Sequence, residues 1–336
     1  MKRMLKSWLL AAAVGIGASG LTAAAALAAD HTLKVGWTTG DSANDPYAIG
    51  ARAFKEEVER RSDGRIEVHL FPNRALGDEK AMLEGMRLGT VDMAVMSSAV
   101  NSQVVPEFAL TDLPFLFANE KQARAVLDGP VGAALAEKVK DKGLMVLSYM
   151  EGGFRNLVNN VRPINTPADM AGVKFRVIQS PIYIEMVESL GGNAVPMAWG
   201  EVYTAVQQGT IDGLEAPPSV IEQNKFAEVV KYLSMSNHTY SALEFMISKR
   251  RFDALPEDLR AIVQEAATAA GETQRQRSYE IGQDVLAVLE RQGMTINTID
   301  DLKPFQEAVA PIYEKYRGIV GSDLLDAALE TAASVE

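Results

Sequence analysis

Pro196-Met197-Ala198-Trp199-Gly200-Glu201-Val202-Tyr203-Thr204-Ala205-Val206-Gln207-Gln208-Gly209-Thr210-Ile211-Asp212-Gly213 reads as a helix from Trp199 to Gln207, a glycine stop and the entry to a strand. Gly209 stands where a helix end needs a left-handed residue, and the β-branched pair Thr210-Ile211 is expected to start the strand. The same order occurs once earlier: a strand from Ile66, a loop, a helix from Glu79 to Arg87, and then Gly89-Thr90-Val91-Asp92. In the later copy the preceding strand is Ala194-Val195-Pro196. Two copies of strand, loop, helix and Gly-Thr-Val/Ile-Asp predict two similar α/β lobes.

Outward from these copies the spacing stays regular. Leu33, Val35 and Trp37 share one side of a first strand, and Asp45-Pro46 opens a helix whose buried stripe is Tyr47, Ala51, Phe54 and Val58. Ser62-Asp63-Gly64 turns the chain into a half-buried strand in which Ile66, Val68 and Leu70 alternate with Arg65, Glu67 and His69. Residues 257–293 contain no proline and keep helical spacing through Leu259, Val263, Ala266, Ala270, Val285 and Leu289. One helix of that length reaches roughly 55 Å and would lie across both lobes as a spine; two helices broken near Gly271 or Gly282 fit the same spacing. From Asp300 onward a last helical region is expected to break at Pro304, Pro311 and Gly321 and to pack against one lobe.

At the other end Lys2, Arg3 and Lys6 precede an Ala/Leu/Gly-rich stretch that closes on Ala26-Leu27-Ala28, the pattern of a secretory signal peptide with cleavage near Ala28. Gly15-Ile16-Gly17-Ala18-Ser19-Gly20 inside it matches a dinucleotide-binding pattern by letters only, because that pattern has meaning only between a strand and a helix. The formal net charge is −11, and loss of the three basic residues makes the mature chain more negative still. Such a surface repels nucleic acid and anionic lipid, so any anion site has to be a local concentration of arginine. With no cysteine, disulfides, thiolate metal sites and cysteine nucleophiles are excluded.

Enzyme and metal templates are absent: no H-E-x-x-H, no G-x-S-x-G, no phosphate loop, and three scattered histidines, His31, His69 and His238. No catalytic residue, metal or cofactor is therefore expected. Glu79, Glu201, Asp212 and Glu215 are available as acids or bases, but nothing in the sequence pairs them. Arginine is the sharper signal. Arg155 follows Gly152-Gly153, where a tight turn is expected after a strand from Leu144 to Tyr149. Arg176 lies in Lys174-Phe175-Arg176-Val177, a short strand with Phe175 and Val177 toward the core and Arg176 on the other face. A guanidinium there offers a planar fork for a carboxylate, whether a ligand's or the protein's own.

Gly153-Phe154-Arg155-Asn156, residues 169–177 and above all residues 196–213 resemble the extracytoplasmic solute-binding subunits of tripartite ATP-independent periplasmic (TRAP) transporters, the DctP-like family. Ala75-Leu76-Gly77-Asp78-Glu79 with Leu88-Gly89-Thr90-Val91-Asp92-Met93 resembles their first lobe, and the resemblance covers the whole mature chain. It implies a two-lobed α/β binding protein with crossing strands and a long helix spanning both lobes. Residues 29–150 with about 240–275 would form the first lobe, and residues 151–239 with about 276–336 the second. It also implies a periplasmic protein, expected to be monomeric, that delivers a small organic carboxylate to integral-membrane TRAP subunits without changing it. By position Arg176 would grip the carboxylate, Arg155 would add positive charge, Glu79 a polar contact from the first lobe and Trp199 an aromatic wall, with Glu215 as a further contact. Many members have Gln-Glu-Asn-Pro where this chain reads Leu214-Glu215-Ala216-Pro217, so the ligand-bonding Asn is missing at Ala216. Two other functions use the same residues: a ligand-binding subunit of a sensory system, and a periplasmic sugar-acid lyase or isomerase with Glu79 and Glu215 as acid and base.

Overall fold

The computed structural model describes residues 29–335; the expected leader, its cleavage near Ala28 and the glycine pattern at 15–20 lie outside them. In β1 (His31–Gly36) Leu33 and Val35 are buried with Lys34 exposed between them. Asp45 then caps α1 (Pro46–Arg61), its Oδ1 accepting the N–H groups of Tyr47 and Ala48 at 3.0 and 3.3 Å, which satisfies donors that a helix start leaves orphaned. Tyr47, Ala51, Phe54 and Val58 form the buried face of that helix, as their spacing predicts. β2 (Ile66–Phe71) pairs parallel with one edge of β1, α2 (Glu79–Leu88) crosses back, and β3 (Met93–Ser97) pairs parallel with the other edge.

After α3 (Ser98–Asn101), a 3-10 segment at Pro106–Asp112, α4 (Glu120–Leu127) and α5 (Pro130–Lys138), the chain enters the long strand β4 (Leu144–Asn159). Then β5 (Lys174–Val177), α6 (Pro181–Ser189), β6 (Asn193–Pro196), α7 (Trp199–Gln207) and β7 (Gly213–Ala216) repeat the pattern of the first unit. The remaining elements are α8 (Pro218–Gln223), the second long strand β8 (Tyr232–Ser248), α9 (Lys249–Asp253), α10 (Glu257–Arg291), β9 (Thr295–Thr298), α11 (Lys303–Val320) and α12 (Ser322–Ala333).

The internal repeat holds at the level of single hydrogen bonds. Val35 lies opposite Met93 as Phe175 lies opposite Gly213, and Gly36 opposite Ala94 as Arg176 opposite Leu214. Gly89 and Gly209 have φ of 75° and 70°, which side chains with a Cβ adopt only under strain. Thr90 and Val91 both donate to the Gly85 carbonyl, and Thr210 and Ile211 both donate to that of Ala205. The β-branched pairs therefore still cap the helix, and the strands begin later than expected, at Met93 and Gly213. Asp92 and Asp212 complete each turn by accepting the backbone N–H of Lys34 and Lys174, at 3.0 and 2.8 Å, from the neighbouring parallel strand.

One nine-stranded sheet carries both units, in the order β2-β1-β3-β8-β4-β7-β5-β6, with β9 against β8. β4 and β8, of 16 and 17 residues, run antiparallel side by side from one unit into the other. The expected turn at Gly152-Gly153 is instead an irregularity within β4, where the pairing with β8 shifts register. α10 is one unbroken helix of 35 residues, about 52 Å long, helical through Gly271 and Gly282. It packs on α1 at one end and on α8 and β9 at the other, so it is the spine its length suggested.

The C-terminal region departs from expectation. Pro304 sits in the first turn of α11, where its missing N–H costs nothing, and Pro311 is accommodated inside the helix, so only Gly321 breaks the chain. α12 packs on α4 and α5, while α11 packs on residues 106–112 and on α6. The tail thus straddles segments that the sequence assigned to different lobes, because Phe305, Val309, Ile312 and Leu325 join one continuous core with Phe108, Leu127 and Tyr183. No helix among the described residues is long and apolar enough to cross a membrane.

A Cβ at Gly209 would meet no atom within 4 Å, so backbone strain alone opposes substitution there. Gly209→Ala is expected to lower the unfolding free energy by about 1–2 kcal/mol in urea titration.

Candidate functional site

The parallel strands of both units end on a common cavity, the place where open α/β sheets present loops and helix starts to ligands. Thr38 and Thr39 follow β1, Ser97 ends β3, Ile178 follows β5, and Ala216-Pro217 end β7. Glu79 and Trp199, the first residues of the repeat-related helices α2 and α7, both line it. Arg155 and Arg176 line it from β4 and β5. The cavity is small, about 30 Å³, and an adjoining one of about 20 Å³ shares Thr38, Glu79, Arg176, Ile178 and Trp199.

Hydrogen bonds join the two units beside the cavity. Gly40 N donates to Asn224 Oδ1 at 3.2 Å, Asn224 Nδ2 to Asp45 Oδ2 at 3.3 Å, and Gln103 Nε2 to the Gln179 carbonyl at 2.8 Å. Arg74 lies over Gly200 so tightly that a Cβ there would fall 1.4 Å from Nη1. Larger hollows, of about 490 and 540 Å³, open elsewhere on the surface. In the first of these Arg275 is already bidentate to Asp128, at 2.6 and 2.8 Å.

Arg176 is 4% exposed, and its Nε and Nη2 both donate to the Met197 carbonyl, at 2.9 and 2.7 Å. One edge of the fork is therefore spent on holding the side chain. The other edge, Nη1 with the second hydrogen of Nη2, has no protein partner among the described residues and belongs to a group that lines the cavity. The Trp199 ring lies 5.6 Å from the guanidinium carbon and packs on Phe226 behind it. Burial lowers the Arg176 pKa to about 10, with Arg155 pushing the same way and the carboxylates of Glu215 and Glu79 opposing.

Arg155 is held differently. It lies between two register shifts of β4 against β8, which aim its side chain at β7. There Nε bonds Glu215 Oε2, while Nη2 donates to Glu215 Oε1 at 2.9 Å and to the Glu215 carbonyl at 2.6 Å. The Tyr183 ring lies 5.3 Å from the guanidinium carbon, and the Tyr183 hydroxyl donates to Asp112 Oδ1 at 3.1 Å. Burial works against the charge of Arg155, but Glu215 outweighs it and raises its pKa. Burial likewise raises Glu215, and Arg155 with His238 more than reverses this, leaving its carboxyl below the usual range.

Of the five expected contacts, Arg176, Arg155, Glu79 and Trp199 meet at the cavity, and Glu215 does not line it. Glu215 is 0% exposed and sits behind Arg155, so it holds that arginine rather than facing a guest. Glu215, the other half of the expected acid–base pair with Glu79, has both carboxylate oxygens engaged by Arg155. Arg155 reaches the cavity with its charge already matched, so Arg176 carries the uncompensated positive charge.

Sequence reasoning missed Thr38, Thr39, Tyr47, Ser97 and Ser241. The repeat relates two of them to other lining residues, Thr38 to Ile178 and Ser97 to Pro217. Tyr47 was read only as helix stripe; its hydroxyl makes no hydrogen bond among the described residues and lies near Glu79 and both arginines. Glu79 Oε1 accepts the Ser97 N–H at 2.9 Å. Burial raises its carboxyl to about 7, against the lowering influence of that hydrogen bond and of Arg176 and Arg155.

The family model for bacterial extracellular solute-binding protein family 7, DctP, matches residues 38–318. The 2,3-diketo-L-gulonate-binding periplasmic protein YiaO of Escherichia coli is 37% identical over 281 residues, 84% of this chain and 85% of that protein. The sugar acid binding protein DctPAm of Advenella mimigardefordensis, solved with galactonate, superposes with a TM-score of 0.88 at 35% identity, covering 91% of this chain and 99% of that one. A TRAP periplasmic solute-binding protein of a Polaromonas species, bound to D-erythronate, gives a TM-score of 0.86 at 36% identity, covering 89% and 98%.

A carboxyl whose folded pKa lies above its unfolded value keeps a proton that the unfolded chain releases, so stability falls as pH rises between the two values. For Glu79 that window runs from about 4.5 to about 7. Glu79→Gln is expected to remove this slope, by up to about 3 kcal/mol across the window, in denaturant titrations of mutant and parent at several pH values. Glu215 has the opposite sign: its contribution is present above the ordinary carboxylate pKa and is lost at more acidic pH.

Proposed function

We propose, from its membership of bacterial extracellular solute-binding protein family 7, to which this chain belongs, that the protein captures a small organic carboxylate between its lobes and hands it unchanged to the membrane subunits of a TRAP transporter. Capture takes place outside the cytoplasm, in the periplasm of a bacterium with two membranes. The free edge of the Arg176 guanidinium, buried at the carboxyl ends of the parallel strands, carries this reading. Pinned on its other edge by the Met197 carbonyl, it is a rigid fork with two N–H directions left for one carboxylate. Arg155 supplies a donor rim without excess charge, so a single negative group balances the pocket. Galactonate and D-erythronate, the ligands bound in two relatives, both carry such an acid head.

Closure supports transport. The polar contacts between halves, at Asn224 with Gly40 and Asp45 and at Gln103 with Gln179, are the ones an opening of the cleft would break. A guest that fills the cavity excludes water and strengthens each charged contact, and the closed outer surface then differs from the open one. In the division we adopt, residues 29–150 with the start of α10 form one lobe and β5 to α8 the heart of the other, with β4, β8 and the C-terminal helices shared. We take the protein to act as a monomer.

Arg176→Ala is expected to weaken the affinity for the best acid of a thermal-shift screen by about 30-fold to several thousandfold in titration calorimetry, the worth of a buried charged hydrogen-bond partner. Arg176→Lys is expected to recover only part of this, because an ammonium lacks the fork. Unchanged affinity in Arg176→Ala would remove the arginine from the site, and recovery of a chemically altered acid would replace binding with catalysis.

A further inference from the structure

The start of α1 leaves one buried oxygen for the other unit to satisfy. Asp45 is 0% exposed, and within its own unit Oδ1 takes the donors: the N–H groups of Tyr47 and Ala48 and the Thr39 hydroxyl, the last at 2.7 Å. Its Oδ2 has a single partner among the described residues, Asn224 Nδ2, which comes from the end of α8 in the other unit. Burial raises the Asp45 carboxyl to about 6 against the opposing influence of these four hydrogen bonds, so the carboxylate has no donor to spare. The same Asn224 carboxamide accepts the Gly40 N–H through Oδ1, and Nδ2 also donates to the Val220 carbonyl of its own helix at 3.0 Å. One planar group thus answers a backbone donor and a buried carboxylate together, which neither an ammonium nor a carboxylate could do. The contact of Gln103 with the Gln179 carbonyl, by contrast, joins two neutral groups and is exposed.

We infer that Asn224 is a positioning residue for ligand capture: it touches no ligand, and it holds the cleft shut by replacing water on Asp45 Oδ2 and on the Gly40 N–H when the two units meet. This rests on the reading of the cleft as the carboxylate site. Asn224 lines neither part of the cavity, but its attachments lead there. Val220, to whose carbonyl it is tied, is a lining residue, and so is Thr39, which bonds Asp45. The loop that presents the Gly40 N–H is held within its own unit, where Trp37 Nε1 donates to the Gly40 carbonyl at 3.1 Å. In an opened cleft water solvates both groups, so the hydrogen bonds are exchanged rather than created, and the net gain is that of one neutral and one charge-assisted bond. An acid that binds the shut form gains that amount whatever its chain, since apparent affinity scales with the fraction of molecules in the competent form. Asn224 therefore acts on every acid alike, whereas a residue that touches the ligand discriminates among them.

Titration calorimetry on the full mature chain can use the two tightest acids of a panel of dicarboxylates, hydroxy acids and sugar acids, galactonate and D-erythronate among them. Asn224→Ala is expected to weaken both by the same factor, about tenfold to a hundredfold. Asn224→Asp keeps the shape but sets a second carboxylate against Asp45 Oδ2, and is expected to weaken both at least as much. Urea titration separates this from a role in the fold: without an acid both variants are expected to unfold at the parent's midpoint, and only the stability added by a fixed acid concentration is expected to shrink. Affinities equal to the parent's, or a loss for one acid that spares the other, would overturn the inference, while loss of binding in Arg176→Ala would keep the carboxylate site in place. An equal drop in stability with and without the acid would overturn it as well, as the mark of a purely structural contact. If the parent binds no acid of the panel, the reading of the cleft falls and this inference with it.

Discussion

A guanidinium taken out of water without an anion against it is the constraint on which the rest of this molecule depends. The protein is acidic overall, yet two arginines are almost wholly buried between its halves. One is neutralised internally, Arg155 by Glu215, with Tyr183 against its face. The other, Arg176, is fixed by a backbone carbonyl, whose partial charge orients the group without cancelling it. Matching both arginines with carboxylates would leave nothing for a guest, and matching neither would cost several kcal/mol per ion. One closed pair beside one open fork leaves a pocket one negative charge short of balance as long as Glu79 keeps its proton, which burial favours up to about pH 7.

The architecture supplies that arrangement through duplication. Each unit ends a parallel strand beside the start of a helix, at the point where side chains and backbone donors converge on open space. The crossing strands β4 and β8 bring the two ends face to face, and Arg155, carried on one of these strands between two register shifts, sits where the units meet. The C-terminal helices and α10 tie the halves from outside. The polar contacts across the cavity join Gly40, Ser42 and Asp45 to Gln223 and Asn224, and Ser102 and Gln103 to Gln179 and Ser180, with Arg74 lying against Gly200.

Duplication also explains why equivalent positions on the two units carry different side chains. Because the backbone frame is the same on both sides, side-chain chemistry at equivalent positions is free to diverge without disturbing the turns. The Gly-Thr-Val/Ile-Asp segment is kept in both copies since its hydrogen bonds build the helix end and the strand entry. Three residues that line the cavity, Thr38, Glu79 and Ser97, have no such duty in common with their counterparts Ile178, Trp199 and Pro217.

Much of this was legible in the linear chain. Local interactions decided the repeat, the helix stripe through Phe54 and Val58, the 35-residue spine and the strand that carries Arg176, because helix periodicity, strand alternation and glycine caps act over a few residues. Arg176, Glu79 and Trp199 reach the cavity for the same reason, since a residue near the end of a strand or at the start of a helix has its position dictated nearby, whereas Arg155 lies within β4 and is aimed by register shifts against the distant β8. What local pattern could not supply was partnership across distance. That Glu215 turns to Arg155 60 residues away, that one edge of Arg176 is taken by Met197, and that α11 and α12 straddle both halves follow only from folding. Those choices are settled by which buried charge finds an opposite charge and which apolar face finds a complementary one, and both depend on the packed geometry of the whole chain rather than on the order of its residues.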